Sequence, residues 1–354
     1  MSTLELVDVS KAYGRTVAVD RIDLRIEDNE FFCIFGPPSS GKSTILRLLL
    51  GLAQPDSGRV LIGGSDVTDV APAQRDLAMV FQNLALFPHL TARQNMAFPL
   101  KERHTPQSEI DARIRDVAEK LHITPLLDKL PAHLSGGERQ RVAIGRALVR
   151  KPLAYLMDEP IAALDARLRE EMRVELKRLQ RQVGHTLVYV THDQEEAMSI
   201  ADRMAIVRDG KIAQVGSPDE IYNHPASRYV AGLVGSPPMN FIDGALSAGL
   251  FRADRIDLTV AVPGLPDGRI VLGVRPEDIG VEAGPASGFS VFEIEPLGAY
   301  TIVDIAAGDT ILKAQLPGQP KLASGQAVSV HIDPAHCHAF DPASGVNLLD
   351  RRQP

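Results

Sequence analysis

The chain has 354 residues, 44% hydrophobic and 23% charged, with a formal net charge of -7 and a pI near 5.8. That length suits two domains and that composition supplies a globular core. The acidic balance argues against nucleic acid as a partner, since such binding selects a basic face. Cys33 and Cys337 lie too far apart in sequence to suggest a disulfide framework or metal-ligand spacing. The first residues lack a basic start followed by an apolar core, so no secretory signal is expected. No apolar run reaches the ~20 residues needed to cross a bilayer. A soluble, cytoplasmic protein is the expectation.

In chain order, residues 31–35 predict a buried strand and residues 42–52 a helix. A more polar, helix-rich stretch covers about 85–150. A strand over 153–157, a long helix and a strand over 186–190 follow. Such alternation predicts an α/β domain built on a largely parallel sheet. In the long helix, Leu164, Leu168, Met172, Leu176, Leu179 and Val183 form one apolar stripe, with Asp165 as N-cap and Gly184 as the stop. Arg208-Asp209-Gly210 reads as a hairpin turn, and Ser217-Pro218-Asp219-Glu220 as a helix start. After Gly235-Ser236-Pro237-Pro238 the helix patterns fade. Short strands are expected at 255–262, 269–274, 289–295, 301–305, 310–316 and 327–332, a spacing that suggests a small β-barrel. The expected division is therefore 1–235 and 236–354.

The chemistry begins at Gly36-Pro37-Pro38-Ser39-Ser40-Gly41-Lys42-Ser43-Thr44, a complete phosphate loop. Its glycines let consecutive N–H groups converge on phosphate oxygens, and the helix starting at Lys42 adds its positive end. Lys42 is expected on the β- and γ-phosphates of ATP, and the Ser43 hydroxyl on Mg²⁺. Asp158 and Glu159 close the strand over 153–157 and point to opposite faces. Asp158 is assigned to Mg²⁺ and Glu159 to polarising the attacking water. Taken alone, such a pair is as readily two solvated carboxylates. Ser135-Gly136-Gly137 opens a second helix whose free N–H groups suit an anion; alone it reads equally as a tight turn.

With Leu134-Ser135-Gly136-Gly137 placed downstream of the phosphate loop, the chain resembles the ATP-binding subunits of ABC transporters over nearly its whole length. The resemblance implies a P-loop ATPase domain with a helical subdomain, followed by a β-rich, OB-like (TOBE) regulatory domain. It implies a head-to-tail dimer, either homodimer or heterodimer with a sister ATPase. Each ATP would lie between residues 36–44 of one subunit and Ser135, Gly136 and Gly137 of the other. It makes Tyr13 the aromatic that stacks on adenine, and Gln82 the residue that senses Mg²⁺ and the membrane subunits. Asp165 would end the loop that crosses between subunits, and His192 would contact the γ-phosphate. Glu138 stands where glutamine is commoner, and Ile161-Ala162-Ala163 where Leu-Ser-Asn is.

Several later segments, among them Asp193-Gln194-Glu195-Glu196-Ala197-Met198 and Leu272-Gly273-Val274-Arg275-Pro276-Glu277-Asp278, resemble the carbohydrate-importer branch, maltose-type and glycerol-phosphate-type. This branch implies two transmembrane permease subunits and an extracytoplasmic solute-binding protein as partners. It also implies a peripheral place on the cytoplasmic side of the inner membrane, with no nucleic acid. Phe87-Pro88-His89-Leu90-Thr91 matches the surface that meets the permeases. The alternatives are an importer ATPase for polyamine, sulfate or ferric iron, a soluble ABC ATPase of DNA repair or translation, and a chain whose C-terminal domain acts chiefly as a sensor.

Overall fold

The computed structural model describes residues 3–162, 164–284 and 288–349, without the Val183 side chain. Ala163 of the expected crossing loop and the Val183 end of the apolar stripe thus lie outside the described residues. The chain forms two compact units, Met1–Pro218 and Asp219–Pro354.

The first unit contains β1 (Leu4–Tyr13), β2 (Thr16–Ile26), β3 (Phe31–Phe35), α1 (Lys42–Leu50), β4 (Ser57–Ile62), β5 (Ser65–Asp66) and β6 (Leu77–Val80). It continues through α2 (Ala92–Lys101), α3 (Gln107–Lys120), α4 (Gly136–Leu148), β7 (Ala154–Asp158), α5 (Ala166–Val183), β8 (Thr186–Thr191), α6 (Gln194–Ile200), β9 (Arg203–Arg208) and β10 (Lys211–Gly216). One sheet is antiparallel, in the order β2-β1-β4-β5. The other runs β10-β9-β3-β8-β7-β6, parallel except for the β9–β10 hairpin. Every residue of β3 and β8 is buried, the continuous apolar pattern of strands covered on both faces. Asp209 and Gly210 turn the hairpin with φ of 48° and 76°, the positive pair that matches strand twist.

Helix α1 shares one apolar core with both sheets. Ile45, Leu46, Leu48 and Leu49 are fully buried with Leu6 and Ile22 of the antiparallel sheet and Ile34 and Val190 of the parallel one. This explains why its sequence is apolar nearly all round. The helix stops at Leu50 rather than Leu52 because Gly51 turns left-handed, with φ 77°. Arg75 closes that end. Its guanidinium donates to Leu48 O at 2.8 Å, Leu49 O at 2.9 Å, Val70 O at 2.9 Å and Thr68 O at 2.9 Å. A buried cation thus meets the carbonyl end of the helix that follows the phosphate loop.

Asp165 caps α5 by accepting from Leu168 N at 2.9 Å, and Gly184 ends it at φ 64°. Met172, Leu176 and Leu179 are buried along its apolar face. The 85–150 region supplies α2, α3 and α4. There the fully buried Asn95 side chain accepts from Phe87 N and donates to Phe87 O, Leu90 O and Thr91 O, which fixes the 87–91 loop.

The second unit begins within α7 (Pro218–Asn223), followed by α8 (Arg228–Leu233). Its start precedes the composition shift at 235/236 because residues 219–234 are fastened to the strands after it. Arg275 is buried, donates to Tyr222 O and Val234 O at 2.5 Å each, and stacks 3.6 Å from the Tyr222 ring. The strands are β11 (Asn240–Ser247), β12 (Leu250–Ala253), β13 (Thr259–Ala261), β14 (Gly268–Val274), β15 (Ile279–Ala283), β16 (Phe289–Pro296), β17 (Tyr300–Ala307), β18 (Thr310–Pro317), β19 (Ala327–Ile332) and β20 (His338–Phe340). They divide into two five-stranded antiparallel sheets, β13-β12-β11-β14-β20 and β15-β19-β16-β17-β18. A single core unites them, with Phe251 and Leu272 from one sheet and Val303 and Val328 from the other. The strand expected at 255–262 shortens to Thr259–Ala261, since residues 254–257 form bends.

Two outcomes follow. Arg75→Met strands four carbonyl partners and should destabilise the first unit by roughly 3 kcal/mol in urea unfolding. Gly41→Ala should weaken ATP binding by about tenfold or more, measured by titration calorimetry, because a Cβ there strains a left-handed backbone.

Candidate active site

Parallel register builds the site. Phe35 pairs with Thr191 and Asp158 with Val190, so β3, β7 and β8 end side by side. Their next residues, Gly36, Glu159 and His192, emerge at the carboxyl edge of the sheet, where open α/β sheets hold ligands.

The loop after β3 is shaped for close approach. A Cβ on Gly36 would lie 2.4 Å from Val207 O, and one on Gly41, at φ 109°, 2.3 Å from Ala18 O. Ser39 is also left-handed, with φ 62°. Ser40 Oγ is buried without a hydrogen-bond partner, as fits a hydroxyl whose acceptor belongs to a ligand. Lys42 Nζ donates to Gly36 O at 2.9 Å and Pro37 O at 2.8 Å, which leaves one of its three N–H groups. Burial lowers the proton affinity of Lys42, while Glu159 and Asp158 oppose that shift. Pro38 is exposed and Thr44 buried at the foot of α1.

Ser43 Oγ donates to Asp158 Oδ1 at 3.1 Å. Burial holds the Asp158 carboxyl above its ordinary range, and the Ser43 bond works against that shift. Among the described residues no group of three or more His, Cys, Asp or Glu is placed to hold a metal. One hydroxyl and one carboxylate fit a hard cation such as Mg²⁺, which keeps several waters and draws further oxygens from substrate phosphates.

Glu159 is the meeting point. Its φ of 46° turns the chain abruptly out of β7, and its N–H donates to Val190 O at 3.0 Å. Gln82 Nε2 donates to Oε2 at 3.2 Å, and His192 Nδ1 lies 2.8 Å from Oε1. A carboxylate only accepts, so Nδ1 carries the hydrogen in this arrangement and Nε2 stays open. The His192 ring is 50% exposed. Lys42, Ser43, Gln82, Asp158, Glu159 and His192 thus gather at one edge.

Tyr13, Ser135, Gly136, Gly137 and Asp165 enter none of these bonds. Tyr13 closes β1 and is 47% exposed, with Lys11 Nζ over its ring at 5.6 Å from the centroid. Ser135 caps α4, and Glu138 completes a capping box by accepting from Ser135 N at 2.7 Å. The glutamate in place of glutamine is therefore fully used: its carboxylate also suits the positive end of the helix. Gly137 lets α4 lie against α5, since a Cβ there would meet Leu168 Cδ2 at 2.3 Å.

One participant escaped the sequence. Arg146, in the last turn of α4, donates to Leu84 O at 2.8 Å and Ala85 O at 2.6 Å. It clamps the segment after Gln82, where Leu84 and Ala85 both have positive φ. A cation in the last turn of a helix has a sufficient local reason to be there, so sequence offers no sign of this longer reach.

Comparison with known proteins places the chain in a family. A family model described as ABC transporter matches residues 19–162, one described as MalK OB fold domain matches 235–279, and one described as TOBE domain matches 272–340. The trehalose/maltose import ATP-binding protein MalK of Thermococcus litoralis is 44% identical, over 98% of this chain and 99% of that protein. The sn-glycerol-3-phosphate import ATP-binding protein UgpC 3 of Rhizobium etli is also 44% identical, over 98% of this chain and 99% of its own length. Among solved structures, a dimeric post-hydrolysis state of the ATP-binding cassette MJ0796, bound to ADP and Pi, superposes with a TM-score of 0.56 at 33% identity, covering 61% of this chain and 98% of that one. At 44% identity over nearly its whole length, the chain belongs to the ATP-binding proteins of the ABC transporter family.

Proposed function

We propose that this chain is the ATP-hydrolysing subunit of an importer for a carbohydrate or a glycerol-phosphate-type solute. The observation that carries the reading is the Glu159 carboxylate, bonded at once by Gln82 and His192 beside the Lys42 loop. Relatives named for trehalose/maltose and for sn-glycerol-3-phosphate import support the solute class.

ATP would lie with its phosphates on the N–H groups of residues 36–44 and its adenine on the Tyr13 ring. Lys42 then exchanges its two loop carbonyls for phosphate oxygens. Ser43 and Asp158 would hold Mg²⁺, with Gln82 nearby, and the ion supplies charge neutralisation on the phosphates. Glu159 orients the attacking water and takes up its proton as the bond from water oxygen to γ-phosphorus forms and the bond to the leaving oxygen breaks. Lys42 offsets charge on the transferred group. His192 donates to phosphate through Nε2 only as imidazolium, or after releasing Glu159 and carrying its hydrogen on Nε2.

Ser135, Gly136, Gly137 and Asp165 take part through a second ATPase subunit, each signature turn completing the ATP site of the other copy. A dimeric cassette among the structural neighbours supports this arrangement. Closure around two ATP molecules would then bias the membrane partners, because ligand binding shifts a two-state equilibrium by its differential affinity. No helix among the described residues is long and apolar enough to cross a membrane, so translocation falls to separate permeases, fed by an extracytoplasmic solute-binding protein. An apolar groove of about 500 Å³, lined by Leu52, Met79, Phe81, Phe87, Phe98 and Pro99 among others, suits a permease segment and adjoins the Gln82 loop. The chain would then sit peripherally on the cytoplasmic face of the membrane.

Glu159→Gln keeps the size of the residue but replaces one of its two carboxylate acceptors with an NH2 donor, and it cannot take the water's proton. ATP affinity should stay within about threefold while hydrolysis falls roughly 100-fold, and an ATP-dependent dimer should accumulate in size-exclusion chromatography. Full turnover by this variant would remove Glu159 from its role.

A further inference from the structure

The backbone that presents His192 is held on both sides. Thr191 Oγ1 donates to Glu196 Oε2 at 2.7 Å and accepts from Asp193 N at 3.0 Å. The Tyr189 hydroxyl donates to the same Glu196 oxygen at 2.8 Å. Asp193 Oδ1 in turn accepts from Glu195 N at 2.8 Å and Glu196 N at 3.2 Å, which starts α6. Glu196 is 2% exposed, so this carboxylate is an interior post rather than a solvated acid. A satisfied buried network of this kind fixes one geometry.

Arg169, at the start of α5, reaches the network from the other direction. Its Nη2 donates to Leu164 O at 3.1 Å, the carbonyl immediately before Asp165. Its Nη1 lies 3.6 Å from Asp193 Oδ2 and its Nε 3.9 Å from Glu196 Oε1. That Nε is buried and makes no hydrogen bond. Against the usual N–H···O distance of about 2.9 Å, the Nε contact is open by about 1 Å. One end of the guanidinium is therefore bonded to the loop that follows Glu159, and the other stands just short of the carboxylates of Asp193, which follows His192, and Glu196, which holds Thr191 before it. An orphaned buried donor favours any shift that closes this gap.

We propose that Arg169 is a positioning residue that transmits movement of the loop ending at Leu164 to Asp193 and Glu196, and so sets where His192 presents its ring. This rests on the catalytic role proposed above for His192. When the loop is displaced, as contact with a second subunit would do, Leu164 O carries the guanidinium with it. Its ion pairs with Asp193 and Glu196 then tighten or release, and Thr191 and Asp193 follow on either side of His192.

The test uses the full-length chain carrying Arg169→Ala, Arg169→Lys or His192→Ala. Arg169→Ala should lower kcat roughly 10- to 100-fold, the scale of an ångström-level misplacement of a reacting group. The ATP dissociation constant and the urea midpoint should stay within about twofold. Arg169→Lys, which keeps the charge but loses the fork, should recover part of kcat. The His192 imidazole proton resonance, identified by its loss in His192→Ala, should shift in Arg169→Ala and return part of the way in Arg169→Lys. A merely structural arginine would leave that resonance in place, or lower kcat, affinity and midpoint together, and either result overturns the proposal. Should Arg169→Ala fail to fold, Glu196→Gln keeps an acceptor for Tyr189 and Thr191 while removing the charge that faces Arg169. Losses in kcat from Glu196→Gln and Arg169→Lys should then be less than additive in the double variant, and full additivity overturns the link. If His192→Ala hydrolyses ATP at the parent rate, the active-site reading falls and this inference with it. If His192→Ala is slow while Arg169→Ala runs at the parent rate, this inference alone falls.

Discussion

The parallel pairing of β3, β7 and β8 is the constraint on which the site depends. With Phe35 beside Thr191 and Asp158 beside Val190, three short apolar strands finish at one level. Each then delivers a different chemical part: a glycine loop, a pair of acids and a histidine. A slip of one residue in any strand would turn its alternate side chains to the other face and move its terminal group by a strand step of about 3.3 Å. Burial of both faces, with every residue of β3 and β8 inside, specifies that register strongly.

Packing behind the edge keeps the phosphate loop in shape. Helix α1 is buried between the two sheets, and Arg75 satisfies the carbonyls at its far end. Its near end carries Lys42 and Ser43, so the position of the helix fixes two functional groups at once. Arginines recur in this role across the first unit. Arg75 ties α1 to the 68–70 segment, Arg146 ties α4 to the segment after Gln82, and Arg169 meets Leu164, Asp193 and Glu196. A planar fork with five donors can serve more acceptors from different elements, and in a more fixed geometry, than the three donors of a lysine.

The second unit uses different physics. Its strands alternate inward and outward residues, as in the burial pattern of β11, and two antiparallel sheets close over one core. Buried Arg275 joins the preceding helices to that core through Tyr222 and Val234. Composition changes only at residue 235, whereas contacts change at 218, because a helix pair can carry an ordinary soluble pattern and still belong to the strands it packs on.

The phosphate loop, the strand-end acids, the signature turn and the caps at Asp165 and Gly184 were legible in the chain, since each is a local pattern whose backbone requirement selects particular residues. The helix and strand alternation was legible for the same reason, through apolar periodicity. What the sequence could not state was which distant groups meet. Gln82 and His192 bond one carboxylate only because β6, β7 and β8 are neighbours in the sheet, although α2, α3 and α4 separate β6 from β7 along the chain. The reach of Arg146 and Arg169, the division of the second unit into two sheets and the unit boundary at 218 were likewise decided by tertiary structure. Local sequence fixes φ, caps and periodicity, whereas long-range pairing depends on how separate apolar faces are buried together.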